Sequence, residues 1–203
     1  MARKDPWWNW LFNMLHGHLA GEAARPDKVD IGFGMAKAIE STGYSVEEER
    51  MHRVERYREF CHMLVADPEM QAETTDAGLK TKCNYALRKA CIELLDYQGF
   101  DGMMANAIIR AAKYSPGMWR MSTGEHARKA VIEGGFAFAG KEYPEHGHVA
   151  LIYPGPMMRS GSWDVDVPLV ANVGRRNGVM KVSQAFPVSQ GQPDYFVYTS
   201  RLP

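Results

Sequence analysis

Hydrophobic periodicity changes character once along this chain, and that change constrains the fold more than any other feature. Up to about residue 133, apolar side chains recur every three or four positions. From Gly135 they alternate, Phe136 and Phe138 against Ala137 and Ala139. The first spacing belongs to helices with one buried face and the second to strands. Helices followed by a run of strands predict an α+β fold with a small antiparallel sheet. Beyond 136–139, the candidate strands are 148–153, 162–167, 178–186 and 195–199. They are separated by Pro154-Gly155-Pro156, by Arg175-Arg176-Asn177-Gly178 and by Gln190-Gly191-Gln192-Pro193.

The helical part divides again. Trp7, Trp10, Leu11, Met14 and Leu15 fall at helical spacing, and Ser45 followed by Glu48 has the spacing of a capping box. The helix it opens runs to about Ala66, with Val54, Tyr57, Phe60, Cys61 and Leu64 inward. Residues 68–80 are polar and read as a linker. We therefore expect a helical region over 1–75, for targeting, regulation or packing, and a second domain over 76–203. After the linker, Ala86, Leu87, Ala90, Cys91, Leu94 and Leu95 define another amphipathic helix. Met103, Met104, Ala107, Ile108 and Ala111 define a third, and 124–133 a short fourth.

Of the three cysteines, one is placed for chemistry. Cys83 falls in the first turn of its helix, on the buried side and at the positive end of the helix dipole, where unpaired backbone N–H groups favour a thiolate. Cys91, two turns further on, reads as a small core hydrophobe, and the adjacent Cys61-His62 pair as structural. A cysteine nucleophile needs a base. His146 and His148 begin the apolar strand 148–153 and share a face of it, so either could serve. Asp164 and Asp166 project from one face of the next expected strand and could orient the imidazole. Trp119 stands in an expected loop, either lining a groove or plugging the core.

Lys82-Cys83-Asn84 before an apolar helix, Met104-Ala-Asn-Ala107, Gly134-Gly-Phe-Ala-Phe-Ala-Gly140 and Gly147-His-Val-Ala-Leu-Ile-Tyr-Pro-Gly-Pro156 occur in that order. Val170-Ala-Asn-Val-Gly174 and Asp194-Tyr-Phe-Val-Tyr-Thr-Ser200 follow. The ordered set, over about residues 78–200, resembles the papain-like cell-wall cysteine peptidases and amidases of the NlpC-type and CHAP families. It most resembles the peptidoglycan amidase effectors of type VI secretion. The resemblance implies a papain-like fold, with the cysteine helix packed on an antiparallel sheet that carries the histidine. It implies Cys83 as nucleophile, His148 rather than His146 as base and Asp166 as the orienting residue, with Asn84 and Trp119 facing substrate. It also implies hydrolysis of a peptidoglycan amide through a thioester, as in a phage endolysin or a secreted effector, with an immunity protein or a holin as partner. Residues 1–75 fit none of these families.

Composition removes other classes. Lys+Arg and Asp+Glu balance at 24 each, with no clustered basic face, so nucleic acid is not an expected partner. No apolar run approaches the roughly 20 residues of a membrane span. Asp5 and Pro6 interrupt the N-terminal apolar segment, so we expect cytoplasmic synthesis without a conventional signal peptide and action at the cell wall. His16-Gly17-His18 lacks a third ligand, so neither a metal nor a cofactor is expected. Two other readings stay open: a non-catalytic binding or structural phage protein on the same scaffold, and a cysteine hydrolase directed at proteins.

Overall fold

The computed structural model describes residues 45–199, apart from 77 and 116. The expectations for the tryptophan-rich helix and for His16 and His18 lie outside the described residues. The described chain is a mixed α+β structure with five α-helices and antiparallel sheets. Helix α1 spans Val46–Ala66, followed by a 3-10 turn at Pro68–Met70 and the short strands β1 (Glu73–Thr75) and β2 (Gly78–Lys80). Helices α2 (Cys83–Leu95) and α3 (Ala105–Lys113), strand β3 (Trp119–Ser122) and helix α4 (Gly124–Ile132) come next. Strands β4 (Ala137–Lys141), β5 (His148–Ile152), β6 (Met158–Ser160), β7 (Val165–Val167), β8 (Leu169–Asn172) and β9 (Gly178–Lys181) follow. Helix α5 (Val182–Ala185), a 3-10 turn at Val188–Gln190 and strand β10 (Asp194–Tyr198) close the described chain.

Helix α1 begins where its capping box predicts. The Ser45 N–H donates to Glu48 Oε2 at 2.7 Å, and the Glu48 N–H donates to Ser45 Oγ at 3.2 Å. Tyr57, Phe60, Cys61 and Leu64 are buried, and the helix packs on α2 and across β8 and β9. These side chains belong to the same hydrophobic cluster as the sheet, so the core runs across the boundary expected at 75/76. Leu64→Ala should therefore destabilise the whole domain by about 2–5 kcal/mol, the usual range for emptying a buried leucine site. A denaturant midpoint unchanged from wild type would place α1 outside the cooperative unit.

The main sheet has six strands in the order β3-β10-β4-β5-β8-β9, every pair antiparallel. Both faces of its centre are covered. Phe138 on β4 meets Phe100 and Trp119 on one side, at ring separations of 6.1 and 5.2 Å. Its neighbour Ala139 faces the other way, as does Tyr195 opposite it on β10, which lies against Gly124 in the first turn of α4. A strand covered on both faces is apolar at every position, and over 136–139 large phenylalanines alternate with small alanines.

Several local expectations change. Residues 68–80 are no plain linker: they hold the β1–β2 hairpin, whose strands are exposed throughout and so lack an apolar signature. The stripe on α3 is rotated, because the helix starts at Ala105. Ile108, Ile109 and Ala112 are buried, whereas Met104 and Ala107 are exposed. The strand expected over 178–186 stops at Lys181 and turns into α5, where the Gln184 side chain accepts from the Lys181 N–H at 3.1 Å. The strand expected over 162–167 keeps only Val165–Val167, paired in a separate hairpin with β6.

Candidate active site

Cys83 is the first helical residue of α2, and no side chain caps the helix at Lys82. The first-turn N–H groups are therefore open to other acceptors. The thiol is 4% exposed and borders an open groove of about 1340 Å³. Burial pushes it above the usual thiol value. Hydrogen bonds from the backbone N–H groups of Val149 and Asn84, the Thr81 hydroxyl and the backbone N–H of Cys83 itself work the other way without overcoming it. The thiolate that the helix dipole favours is thus opposed by desolvation. Val149 follows His148 on β5, so the N–H that most favours the thiolate belongs to the strand that carries the histidine.

His148 heads β5 and lines the same groove. Its Nε2 is 2.7 Å from Asn172 Oδ1. Strand register explains the meeting. Leu151 lies opposite Ala171, and one further step sets Asn172 opposite Ala150, diagonal to His148 on the same face. The amide of Asn172 cannot be turned over without loss, because its Nδ2 donates to the Arg176 carbonyl at 2.6 Å. Oδ1 must then accept, Nε2–H must donate, and Nδ1 is left as the basic nitrogen. Burial holds the imidazole below its ordinary value of 6.5, against the Asn172 hydrogen bond, which raises it. Cys83 and His148 thus line one groove, each with burial disfavouring its charged form.

The loop that delivers His148 is fixed from α3. Asn106 Nδ2 donates to the Tyr143 carbonyl at 2.8 Å, and the Tyr143 N–H donates back to Asn106 Oδ1 at 3.3 Å. A Cβ on Gly147 would stand 2.2 Å from Asn106 Oδ1, so only glycine lets this loop pass. On the other side, a Cβ on Gly174 would sit 3.2 Å from His148 Cε1, which makes Gly174 a flat wall for the ring.

Two expected site residues fall elsewhere. Asp166 is exposed on β7, opposite Arg159 in the β6–β7 hairpin, and does not border the groove. Asp164 is exposed too and pairs with Arg159. The strand beside β5 is β8, so Asn172 takes the position assigned to Asp166. The sequence did carry a signal for Asn172: one polar residue inside the apolar run Val170-Ala171-Asn172-Val173, buried to 4% exposure. Trp119 also moves. It lies on an edge strand inside the aromatic core, stacked on Phe100 at 5.2 Å and buried, and it lines no part of the groove.

Asn84 does line the groove, but its side-chain amide is occupied in donating to the Met103 carbonyl at 3.1 Å. His146 borders the groove and is exposed, whereas the partner of Asn172 is the half-buried His148. Cys61 and Cys91 are fully buried away from the groove; burial pushes Cys61 up to about 12 and Cys91 further still. Among the described residues, no three His, Cys, Asp or Glu side chains converge on a metal position, and no helix is long and apolar enough to cross a membrane. The chain matches no protein-family model and no curated protein.

Proposed function

We propose that this domain is a papain-like cysteine amidase in which Cys83 attacks an amide carbonyl, His148 moves the proton and Asn172 orients His148. The observation that carries the reading is the relay from the Arg176 carbonyl through Asn172 to His148 Nε2, which makes Nδ1 the basic nitrogen of a ring lining the groove that Cys83 borders. Nδ1 takes the thiol proton as Sγ adds to the carbonyl carbon, and backbone N–H groups at the start of α2 stabilise the oxyanion. Collapse of the tetrahedral adduct breaks the C–N bond, and the imidazolium returns its proton to the leaving amine. Water, deprotonated by the same nitrogen, then opens the thioester, releasing a carboxylic acid and restoring the thiol.

For the substrate we propose an amide of the peptidoglycan stem peptide or its cross-link, on the strength of the ordered resemblance over 78–200. That location places the enzyme's work at the cell wall, whether it arrives as a lysin or as an effector. Incubation with purified sacculi of several wall chemotypes, followed by muropeptide mass spectrometry, tests it. New free amines and carboxylates at one peptide bond are expected. Intact sacculi from every chemotype, with protein substrates cleaved instead, would move the activity to proteins. Intact substrates of both kinds, with a thiol no more reactive than free cysteine, would leave a binding protein.

A further inference from the structure

The groove has an electrostatic side that hydrolysis alone does not require. Eleven ion pairs hold carboxylates and cations together among the described residues, and none of them involves Arg175 or Arg176. Both arginines are exposed, both line the groove, and both lie in the turn between β8 and β9. Lys80, on β2, adds a third positive charge to the lining, against one carboxylate, Glu145. A chain with no net charge has thus gathered unpaired cations where its substrate would enter.

The turn that carries them is held by two asparagine side chains. The Gly174 N–H donates to Asn177 Oδ1 at 3.0 Å, and Asn177 Nδ2 donates to the Met70 carbonyl at 2.9 Å. Asn172 holds the Arg176 carbonyl at 2.6 Å, and Gly174, directly before Arg175, lies against the His148 ring. The two guanidinium groups therefore spring from fixed points within a residue or two of the groups that touch His148. Their side chains are left uncommitted, apart from a long 3.9 Å approach of Arg176 Nη2 to Met180 Sδ. A guanidinium fork matches a carboxylate through two parallel hydrogen bonds, which a lysine cannot do.

We propose that Arg175 and Arg176 form an anion-reading subsite, which selects peptides bearing a free carboxylate beside the scissile amide. The proposal rests on the cysteine-hydrolase reading for its substrate, but not for its first test. That test compares alkylation of Cys83 by iodoacetate and by iodoacetamide at neutral pH in the full chain, read by peptide mass spectrometry. The proteins are wild type, Arg175→Gln/Arg176→Gln and Arg175→Lys/Arg176→Lys. The iodoacetate-to-iodoacetamide rate ratio should fall several-fold in the glutamine variant and partly recover in the lysine variant, and salt should lower it in wild type. His148 is present in all three proteins, so its own attraction for iodoacetate cancels.

The second arm uses matched peptide amides with a carboxylate or a carboxamide next to the cleaved bond. KM for the carboxylate peptide should rise about tenfold in the glutamine variant, with kcat and the carboxamide peptide little changed. An alkylation ratio that neither the glutamines nor salt alters overturns the subsite, even if every peptide is cleaved. A ratio that falls as expected while no peptide or sacculus is cleaved keeps the subsite and overturns the hydrolase reading. Should the glutamine variant not fold, the salt dependence of wild type and the lysine variant decide.

Discussion

Cys83→Ala is expected to bring amide hydrolysis down to background, a loss on the order of 10⁴-fold or more, because the covalent step has no other nucleophile. The stability effect should be small but measurable. Cys83 is 4% exposed, so trimming its side chain costs about 1 kcal/mol. Cys91→Ala should instead spare the activity. That side chain is 0% exposed and makes no contact with the groove, so the change should cost about 1 kcal/mol or more and leave kcat unchanged. Activity on a released-amine assay, beside a denaturant midpoint for each variant, checks both. If the two cysteines exchanged phenotypes, the nucleophile would have been misassigned.

The second large effect belongs to His148. With no base to take the thiol proton, His148→Ala should lose roughly 10³-fold or more in kcat, close to the loss at Cys83, because the pair acts as a unit. Asn172→Ala should lose less, about 10- to 100-fold, since thiol and imidazole remain but the ring can adopt the wrong tautomer. Asp166→Ala and Asp164→Ala should be close to silent, both carboxylates being exposed on the far hairpin. Damage from Asp166→Ala with none from Asn172→Ala would invalidate the relay described above.

Titration of His148 adds an independent signature. Burial lowers its folded-state value below 6.5, so between the two values the unfolded chain binds more protons than the folded one. Stability therefore rises with pH through this window, is full above about 6.5, and is lost as pH falls through the lower, folded value. The acid limb of kcat/KM should lie below 6.5 for the same reason. In His148→Gln, the fall in melting temperature toward acid should be shallower than in wild type. An unaltered slope would mean that His148 is not buried neutral.

Much of the site was legible locally. Helix α2 and strand β5 announce themselves by the spacing of their own apolar residues, and a helix start is set by what immediately precedes it. Hence Cys83, His148 and the Ser45–Glu48 cap could be placed within a residue or so. Trp119 shows the limit of such reading. Between Met118 and Met121 its four-residue segment is too short to show a period, and only pairing with β10 makes it an edge strand and turns Trp119 inward. The β1–β2 hairpin escaped for a related reason, since it buries neither face.

By itself, then, the sequence determined the order of helices before strands, the residue at the start of α2 and the histidine at the start of β5. Each of these depends on side chains within a few positions of one another. The tertiary structure alone decided which strand lies beside β5. Antiparallel neighbours are selected by long-range packing, and the chain reaches β8 only after an intervening hairpin that carries Asp164 and Asp166 away. That choice sets Asn172 at His148 and the Arg175-Arg176 turn at the mouth of the groove. A register two strands apart in sequence cannot be read from either strand, because hydrogen bonds between backbones carry no residue identity.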